Sequence, residues 1–189
     1  MNKRYFSIMV TLIAVIMFVI QQHAPLSKSS FVAPPDAPTT TAGLYPVIKV
    51  VDGDTIEIEK DGKATKVRLI GIDTPEVVDP RKPVQCFGRE ASDEAHRLLD
   101  GKSVRLEIDP SQDTYDKYGR LLAYVLLPDG MFFNEYMVTQ GYAHEYTYSV
   151  PYKYQTKFKA AEKAARITRK GLWAPETCNG NTKQVAKNI

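Results

Sequence analysis

The stretch from residue 45 to residue 72 constrains the fold most strongly. It holds three short runs rich in β-branched and alternating apolar residues, at positions 45–51, 55–60 and 64–72. Asp52-Gly53-Asp54 separates the first two runs. Asp61-Gly62, a dipeptide typical of two-residue hairpin turns, separates the second from the third. The pattern therefore predicts a three-stranded antiparallel meander.

Later segments add two strands and three helices. Apolar patterning places them at 104–108 and 121–127 for the strands, and at 90–99, 134–140 and about 151–170 for the helices. In the fourth strand, Val104, Leu106 and Ile108 would share one buried face. Five short strands, with one helix after the third and two near the end, predict an α+β, mainly β fold. The architecture that fits is a five-stranded barrel of the OB type.

The N-terminal 24 residues have the composition of an export sequence. Lys3 and Arg4 precede an uncharged run at 5–20 that is rich in Ile, Val, Met and Phe. This segment is either a cleaved signal peptide or a retained membrane anchor. In both cases it meets the membrane during export and leaves the rest of the chain outside. We therefore expect a protein that is secreted or tethered to the outer face of the cytoplasmic membrane.

The remaining segments divide the chain into regions. Residues 25–44 are rich in Pro, Ser and Thr and predict a disordered linker. The folded domain would span 45–174, followed by a polar tail at 175–189. Cys86 and Cys178 are the two cysteines. In an exported protein they favour a disulfide between an early loop and the tail, the alternative being two unpaired thiols.

The spacing of cysteine and histidine and the net charge bear on two classes of function, zinc binding and nucleic-acid binding. Two cysteines and three histidines, none at zinc-ligand spacing, argue against a zinc site. The formal net charge of +3 is too small to indicate nucleic-acid binding by itself. Such a partner would instead be indicated by where the charges are placed along the chain.

Charged residues gather beside glycines or strand ends in three places. These are Asp52-Gly53-Asp54, Arg68 with Asp73-Thr74-Pro75-Glu76, and Asp116-Lys117-Tyr118-Gly119-Arg120. Each could be a solvated turn if it stood alone. Together they supply oxygen ligands for a hard divalent cation, Ca²⁺ or Mg²⁺, from Asp54, Asp73 and a backbone carbonyl near Thr74.

The other members of these clusters fit a hydrolysis. Glu76 follows the proposed ligands and could accept a proton from a water molecule. Arg68 and Arg120 carry planar, permanently charged groups that match phosphate oxygens. A cation, a base and two arginines predict phosphodiester hydrolysis.

The chain from about residue 47 to residue 173 resembles the staphylococcal nuclease family. The matching segments are VIKVVDGDT at 47–55, VRLIGIDTPE at 67–76, FGREAS at 87–92, DKYGRLLAY at 116–124, NE at 134–135 and GLW at 171–173. The resemblance implies a five-stranded OB barrel with three helices. It also implies Ca²⁺-dependent hydrolysis of DNA and RNA that leaves 3′-phosphates, with no small-molecule cofactor.

The resemblance implies roles for individual residues as well. Asp54, Asp73 and the Thr74 carbonyl would ligate Ca²⁺, with Asp52 and Glu76 in the surrounding water shell. Glu76 would be the general base, and Arg68 and Arg120 would bind the phosphate.

Three tyrosines are candidate substrate-binding residues: Tyr118, Tyr146 and Tyr148. For the last two, surface tyrosines ahead of a helix are the alternative interpretation. The loop at 77–87 also carries Cys86, so a disulfide would restrain a loop close to the substrate. No heptad or long apolar edge is evident, so we expect a monomer.

Two other functions fit the same fold. A non-catalytic OB-fold module would bind nucleic acid or an envelope partner without hydrolysis. A calcium-stabilised extracellular domain would gain thermal stability from Ca²⁺ without turnover. A module that only binds has no need for paired acidic ligands beside a base, so the residue set favours the nuclease.

The predicted site carries a geometric requirement. Strict alternation along a strand would place Arg68 and Asp73, five residues apart, on opposite faces. For both to reach one phosphate the strand must bend or bulge, and Gly71 is the position where we predict that it does.

Overall fold

The computed structural model describes residues 43–77, 79 and 83–183. The predicted signal or anchor segment at 1–24 lies outside these residues, as does the linker except for its last two positions. Within the part that is described, no helix is both long enough and apolar enough to cross a bilayer.

The described residues form seven strands, three α-helices and a 3₁₀ turn. The strands are β1 Tyr45–Val50, β2 Thr55–Lys60, β3 Lys63–Leu69, β4 Ile72–Asp73, β5 Ser103–Glu107, β6 Leu121–Leu126 and β7 His144–Glu145. The helices are α1 Gly88–Leu99, α2 Phe133–Thr139 and α3 Gln155–Ile167, and the 3₁₀ turn is Gly171–Trp173. Five strands close into a barrel in the order β1-β2-β3-β6-β5. The predicted five-stranded barrel with three helices is confirmed.

Strand pairing brings distant parts of the sequence together. Strands β1, β2 and β3 form the predicted antiparallel meander, and Asp61 and Gly62 take positive φ values of 53° and 69° in the hairpin turn. Strand β3 then pairs in parallel with β6, with Arg68 opposite Leu122. This parallel pairing places Arg68 beside the start of β6, close to Arg120.

The core fills the barrel and the space under the helices. Strands β2, β3 and β5 contribute Ile56, Ile58, Val67, Leu69, Val104 and Leu106, all buried. Helix α1 covers one side with Ala91, Ala95, Leu98 and Leu99. On α3 Phe158 and Ala165 are buried, and Ala161 is partly buried.

The predicted end of the fourth strand is wrong. Strand β5 ends at Glu107, and Ile108 lies outside it with 38% of its surface exposed. Glu107 is buried instead, because its carboxylate accepts hydrogen bonds from Lys153 Nζ (2.9 Å) and Tyr154 Oη (2.9 Å). A satisfied ion pair thus takes the place that simple alternation assigned to an apolar side chain.

Helix α3 begins at Gln155, four residues after the predicted start near Pro151. Tyr152 and Tyr154 precede the helix and are buried. The Tyr152 hydroxyl lies 3.2 Å from the Gly71 carbonyl and 3.0 Å from Glu145 Oε1. Hydrogen bonds of Tyr152 to Gly71 and Glu145, and of Tyr154 to Glu107, thus attach the segment before the helix to the domain.

A second, smaller cluster lies at the C-terminal end. A disulfide joins Cys86 to Cys178 across 92 positions of sequence. Cys178 is buried with Ala165, Leu172 and Trp173, and Cys86 and Phe87 pack against them. The favoured disulfide is present and attaches the segment after Trp173 to the domain at Cys178.

Candidate active site

The chain turns sharply after the end of β3, at Gly71. The strand stops at Leu69, Gly71 takes a φ of +80°, and the chain re-enters a short strand, β4, that pairs with β7 instead of β6. The predicted bend at Gly71 is confirmed, and it is a full strand break with a change of partner. A Cβ atom at position 71 would lie 2.6 Å from the Tyr152 ring, so the close packing also requires glycine.

Arg68 lies inside this bend and is held by it. Its Nη1 donates hydrogen bonds to the carbonyls of Leu69 (2.9 Å) and Ile72 (2.8 Å). Its Nη2 donates to Asp73 Oδ1 at 3.0 Å and lies 3.3 Å from Asp54 Oδ2. The side chain is only 14% exposed. The bend therefore brings Arg68 and Asp73 to one place, as the site requires.

Asp54 is buried and fixed by hydrogen bonds. Its Oδ1 accepts from Thr55 Oγ1 (3.0 Å), and its Oδ2 accepts from the backbone N–H (2.9 Å) and the hydroxyl (3.0 Å) of Thr74. A Cβ at Gly53 would lie 2.7 Å from the Thr74 side chain. The absence of a side chain at position 53 lets this turn close onto Thr74.

Asp52 adds a third carboxylate next to Asp54. Its Oδ1 accepts a hydrogen bond from the Asp54 backbone N–H at 3.0 Å. Burial, reinforced by the charge of Asp54, raises the pKa of Asp52 to about 7. Partial burial and the same Asp54 charge also raise the pKa of Asp73, and the nearby Arg68 only partly opposes this. Near Asp52, Asp54 and Asp73, negative charge therefore exceeds the positive charge that Arg68 provides.

Arg120 is oriented by Asp116 within its own turn. Asp116 Oδ2 accepts from both Nε and Nη2 of Arg120, each at 2.6 Å, and its Oδ1 accepts from the backbone N–H of Tyr118 and of Arg120, each at 2.9 Å. Burial raises the pKa of Asp116, but these hydrogen bonds outweigh it and hold that pKa below the usual range. The sequence contained Asp116 in its motif without showing that it would position the arginine.

Glu76 begins the segment that leaves β4. Its Oε1 accepts hydrogen bonds from the backbone N–H of Val77 (2.9 Å) and of Asp79 (3.1 Å). Its own N–H donates to Gln85 Oε1 at 2.9 Å. Gln85 is a contact that sequence reasoning missed, because nothing in the pattern pairs it with Glu76.

All six predicted catalytic and metal-binding residues border one cleft of about 210 Å³. Its lining consists of Asp52, Asp54, Thr55, Arg68, Asp73, Thr74, Pro75, Glu76 and Arg120. In the described part of the chain, no three acidic, histidine or cysteine side chains already converge as a metal cage. A cation here would therefore need oxygen ligands from the backbone and from water in addition to two carboxylates.

The three candidate tyrosines lie outside that lining. Tyr118 and Tyr148 are 73% and 70% exposed, and Tyr146 is 42% exposed. The Arg120 guanidinium lies 5.4 Å from the Tyr118 ring centre, and the Tyr146 N–H donates to the Gly71 carbonyl at 3.0 Å. The Tyr118 ring thus contacts Arg120, whereas Tyr146 is attached to Gly71 through its backbone.

Replacing Gly71 with alanine is expected to destabilise the protein more than the same change at Gly119. Both glycines have positive φ, so each variant carries a left-handed strain of about 1–2 kcal/mol. Only at position 71 does the added Cβ meet the Tyr152 ring, which adds about 1–3 kcal/mol of overpacking. Urea denaturation measures both free energies of unfolding. Equal losses would show that the contact with Tyr152 has no energetic role.

The raised pKa of Asp52 predicts a pH-dependent stability difference. Between pH 4 and 7 the folded state binds the Asp52 proton more tightly than the unfolded state, so ionisation on raising the pH costs stability. Asp52→Asn keeps the oxygen that accepts from Asp54 N–H but cannot ionise. In buffer without divalent cations, we expect the free energy of unfolding of the variant to exceed that of the wild type by more at pH 8 than at pH 5. The gain should reach a few kcal/mol at most, because one pKa unit is worth about 1.4 kcal/mol. A pH-independent difference would contradict this.

The fold and the cleft together define a class of protein. It is a small OB-type barrel with a cleft that combines carboxylates with two preoriented arginines, a site suited to a phosphate-bearing ligand.

Comparison with known proteins places the chain within a family. The family model described as staphylococcal nuclease homologue matches residues 66–175. The chain is 46% identical over 144 residues to a thermonuclease of Staphylococcus hyicus, covering 72% of this chain and 83% of that protein. It is 39% identical over 177 residues to a thermonuclease of Staphylococcus intermedius, covering 92% and 99%. It is 37% identical over 127 residues to the endonuclease YncB of Bacillus subtilis, covering 67% and 59%. The chain belongs to the staphylococcal nuclease family.

Proposed function

We propose that this protein is a nuclease that hydrolyses phosphodiester bonds of DNA and RNA with Ca²⁺ and leaves 3′-phosphates. The observation that carries the proposal is the cleft itself, which gathers Asp54, Asp73, Thr74, Glu76 and both arginines. The names of the thermonuclease and endonuclease relatives support the same activity.

The residues present fit a hard divalent cation. Four carboxylates and two guanidinium groups border the cleft, so negative charge is in excess. Asp54, Asp73 and the Thr74 carbonyl would hold Ca²⁺, with Asp52 and Glu76 reaching its water shell. With so few protein ligands we expect a dissociation constant on the order of 10⁻⁴–10⁻³ M. When bound, the ion would polarise a phosphoryl oxygen and help to position the attacking water.

Glu76 supplies the base. Its Oε1 is held by two backbone N–H groups, which fixes the carboxylate beside the cleft. The carboxylate takes a proton from the attacking water as the new bond to phosphorus forms. The bond between phosphorus and O5′ breaks, and the 5′ oxygen leaves and takes a proton from solvent water.

Arg68 and Arg120 stabilise the charge that grows on the phosphoryl oxygens. Each guanidinium is already oriented by a carboxylate, Asp73 for Arg68 and Asp116 for Arg120. Both are partly buried, which strengthens their interaction with an anion. Preoriented donors need little reorganisation when charge develops.

Substrate binding beyond the phosphate would use exposed aromatic rings. We assign this role to Tyr118, Tyr146 and Tyr148, because exposed rings can stack on bases without sequence preference. We further propose a monomer that is exported and either secreted or tethered at the membrane surface. The N-terminal composition described above supports this location.

Digestion of a 5′-labelled single-stranded oligonucleotide tests the proposal. We expect cleavage in millimolar Ca²⁺, 3′-phosphate ends on the products, and loss of activity when EDTA is added. Binding of the oligonucleotide without turnover in Ca²⁺ would instead indicate a non-catalytic OB-fold module. A rise in Tm with Ca²⁺, without binding or cleavage, would indicate a calcium-stabilised structural domain.

A further inference from the structure

The segment that carries Glu76 is closed by a reciprocal contact with Gln85. The Glu76 N–H donates to Gln85 Oε1, and the Gln85 N–H donates to the Glu76 carbonyl, both at 2.9 Å. Gln85 therefore binds the backbone of Glu76 through its side chain and its main chain together. Such a pair restricts the rotation of the residue that carries the carboxylate.

The start of α1 packs directly against the same backbone. The Gly88 N–H donates to the Gln85 carbonyl at 3.0 Å. A Cβ at Gly88 would lie 3.0 Å from the Pro75 carbonyl oxygen and 3.1 Å from that of Glu76. The lack of a side chain at position 88 thus lets the helix approach Glu76 at backbone distance.

The disulfide holds residues 85–88 to the C-terminal tail. Cys86 lies between Gln85 and Phe87, and its partner Cys178 is buried in the C-terminal cluster. Phe87 has a left-handed backbone, φ +66°, and its ring stacks on Tyr142 at 5.7 Å. The tail is itself attached to the domain, because the Gly180 N–H donates to the Leu172 carbonyl at 2.9 Å.

We propose that residues 85–88, locked to the C-terminal tail by the Cys86–Cys178 disulfide, are a positioning element for the Glu76 carboxylate. The proposal rests on the function proposed above, in which Glu76 is the base. Gln85 touches no reacting atom and acts through Glu76. The catalytic rate of this nuclease therefore depends on the oxidation state of a disulfide that does not border the cleft.

The first test is Gln85→Met, which keeps the side-chain length and removes the acceptor oxygen. We expect kcat to fall by between about 10-fold and 100-fold with KM nearly unchanged, because a displaced base loses rate without losing substrate contacts. In an Glu76→Gln background the same change should have no further effect, since there is no base left to position. Gln140→Met is the matched control, because Gln140 bonds Lys170 and does not border the cleft.

The second test removes the disulfide, by Cys86→Ser/Cys178→Ser or by reducing the wild type. We expect a similar fall in kcat and faster hydrogen exchange at the Glu76 and Gln85 amides, while circular dichroism shows the barrel intact. Reducing agent should not change the serine variant further.

Each result has a clear meaning. The positioning role is overturned if the wild type cleaves DNA and Glu76→Gln is impaired while Gln85→Met retains full activity. It is also overturned if Gln85→Met still lowers kcat in the Glu76→Gln background. A wild type that does not cleave DNA at all overturns the proposed function, and the positioning role with it.

Discussion

Replacing Glu76 with glutamine is expected to lower kcat on DNA by about 10²- to 10⁴-fold, the usual contribution of a general base. The amide oxygen can still accept the hydrogen bonds from Val77 and Asp79, so the local backbone should keep its position. The amide cannot take a proton from water. Because the phosphate contacts that we propose for the arginines remain, KM should change little. Initial rates on a labelled oligonucleotide at saturating Ca²⁺ measure the effect.

Glu90→Gln is the matched control for this change. Glu90 lies on the exposed side of the first turn of α1 and does not border the cleft. Its replacement removes the same charge from the protein at a position outside the cleft. Equal activities of the two variants would remove Glu76 from the mechanism and leave the attacking water without the proton acceptor proposed here.

Arg68→Ala is expected to lower kcat/KM by about 10²- to 10³-fold, the cost of removing one preorganised stabiliser of transition-state charge. The variant also loses the hydrogen bonds to the Leu69 and Ile72 carbonyls and the cation beside Asp54 and Asp73. Rates should therefore be measured at a temperature where circular dichroism shows the variant folded.

Arg68→Lys separates charge from geometry at this position. Lysine keeps the positive charge, but an ammonium group cannot reproduce the planar guanidinium, which donates to the Ile72 carbonyl and the Asp73 carboxylate at the same time. We expect most of the loss to persist in this variant. Arg105→Ala, at an exposed arginine on β5, should retain wild-type activity. Full activity of Arg68→Lys would mean that positive charge alone suffices at this position and that the planar geometry of the guanidinium has no role in catalysis.

Local sequence signals predicted the parts of the fold that local physics controls. Asp61-Gly62 predicted the hairpin because both residues take positive φ readily. The bend was predicted at Gly71 because Arg68 and Asp73 must reach the same phosphate, which a straight strand would not allow. The buried face of α1 followed from helical spacing. In each case the deciding interactions lie within a few residues of one another.

Features set by distant contacts could not be predicted in the same way. The parallel pairing of β3 with β6 depends on how the barrel closes, which no local pattern records. The burial of Glu107 depends on Lys153 and Tyr154, and the late start of α3 depends on anchoring of Tyr152 to the Gly71 carbonyl. The link between Gln85 and Glu76 is likewise visible only in three dimensions.

Parallel pairing between β3 and β6 also determines the stage of folding at which Arg68 and Arg120 come together. Arg68 and Arg120 come from distant parts of the chain and meet only when these two strands are side by side. Bringing such remote segments together is entropically costly, so contacts of this kind form slowly compared with a hairpin or a helix. A nascent or truncated chain that ends before Arg120 lacks the second arginine altogether. The proposed site is therefore incomplete until the barrel closes, and we expect partly folded intermediates to be inactive.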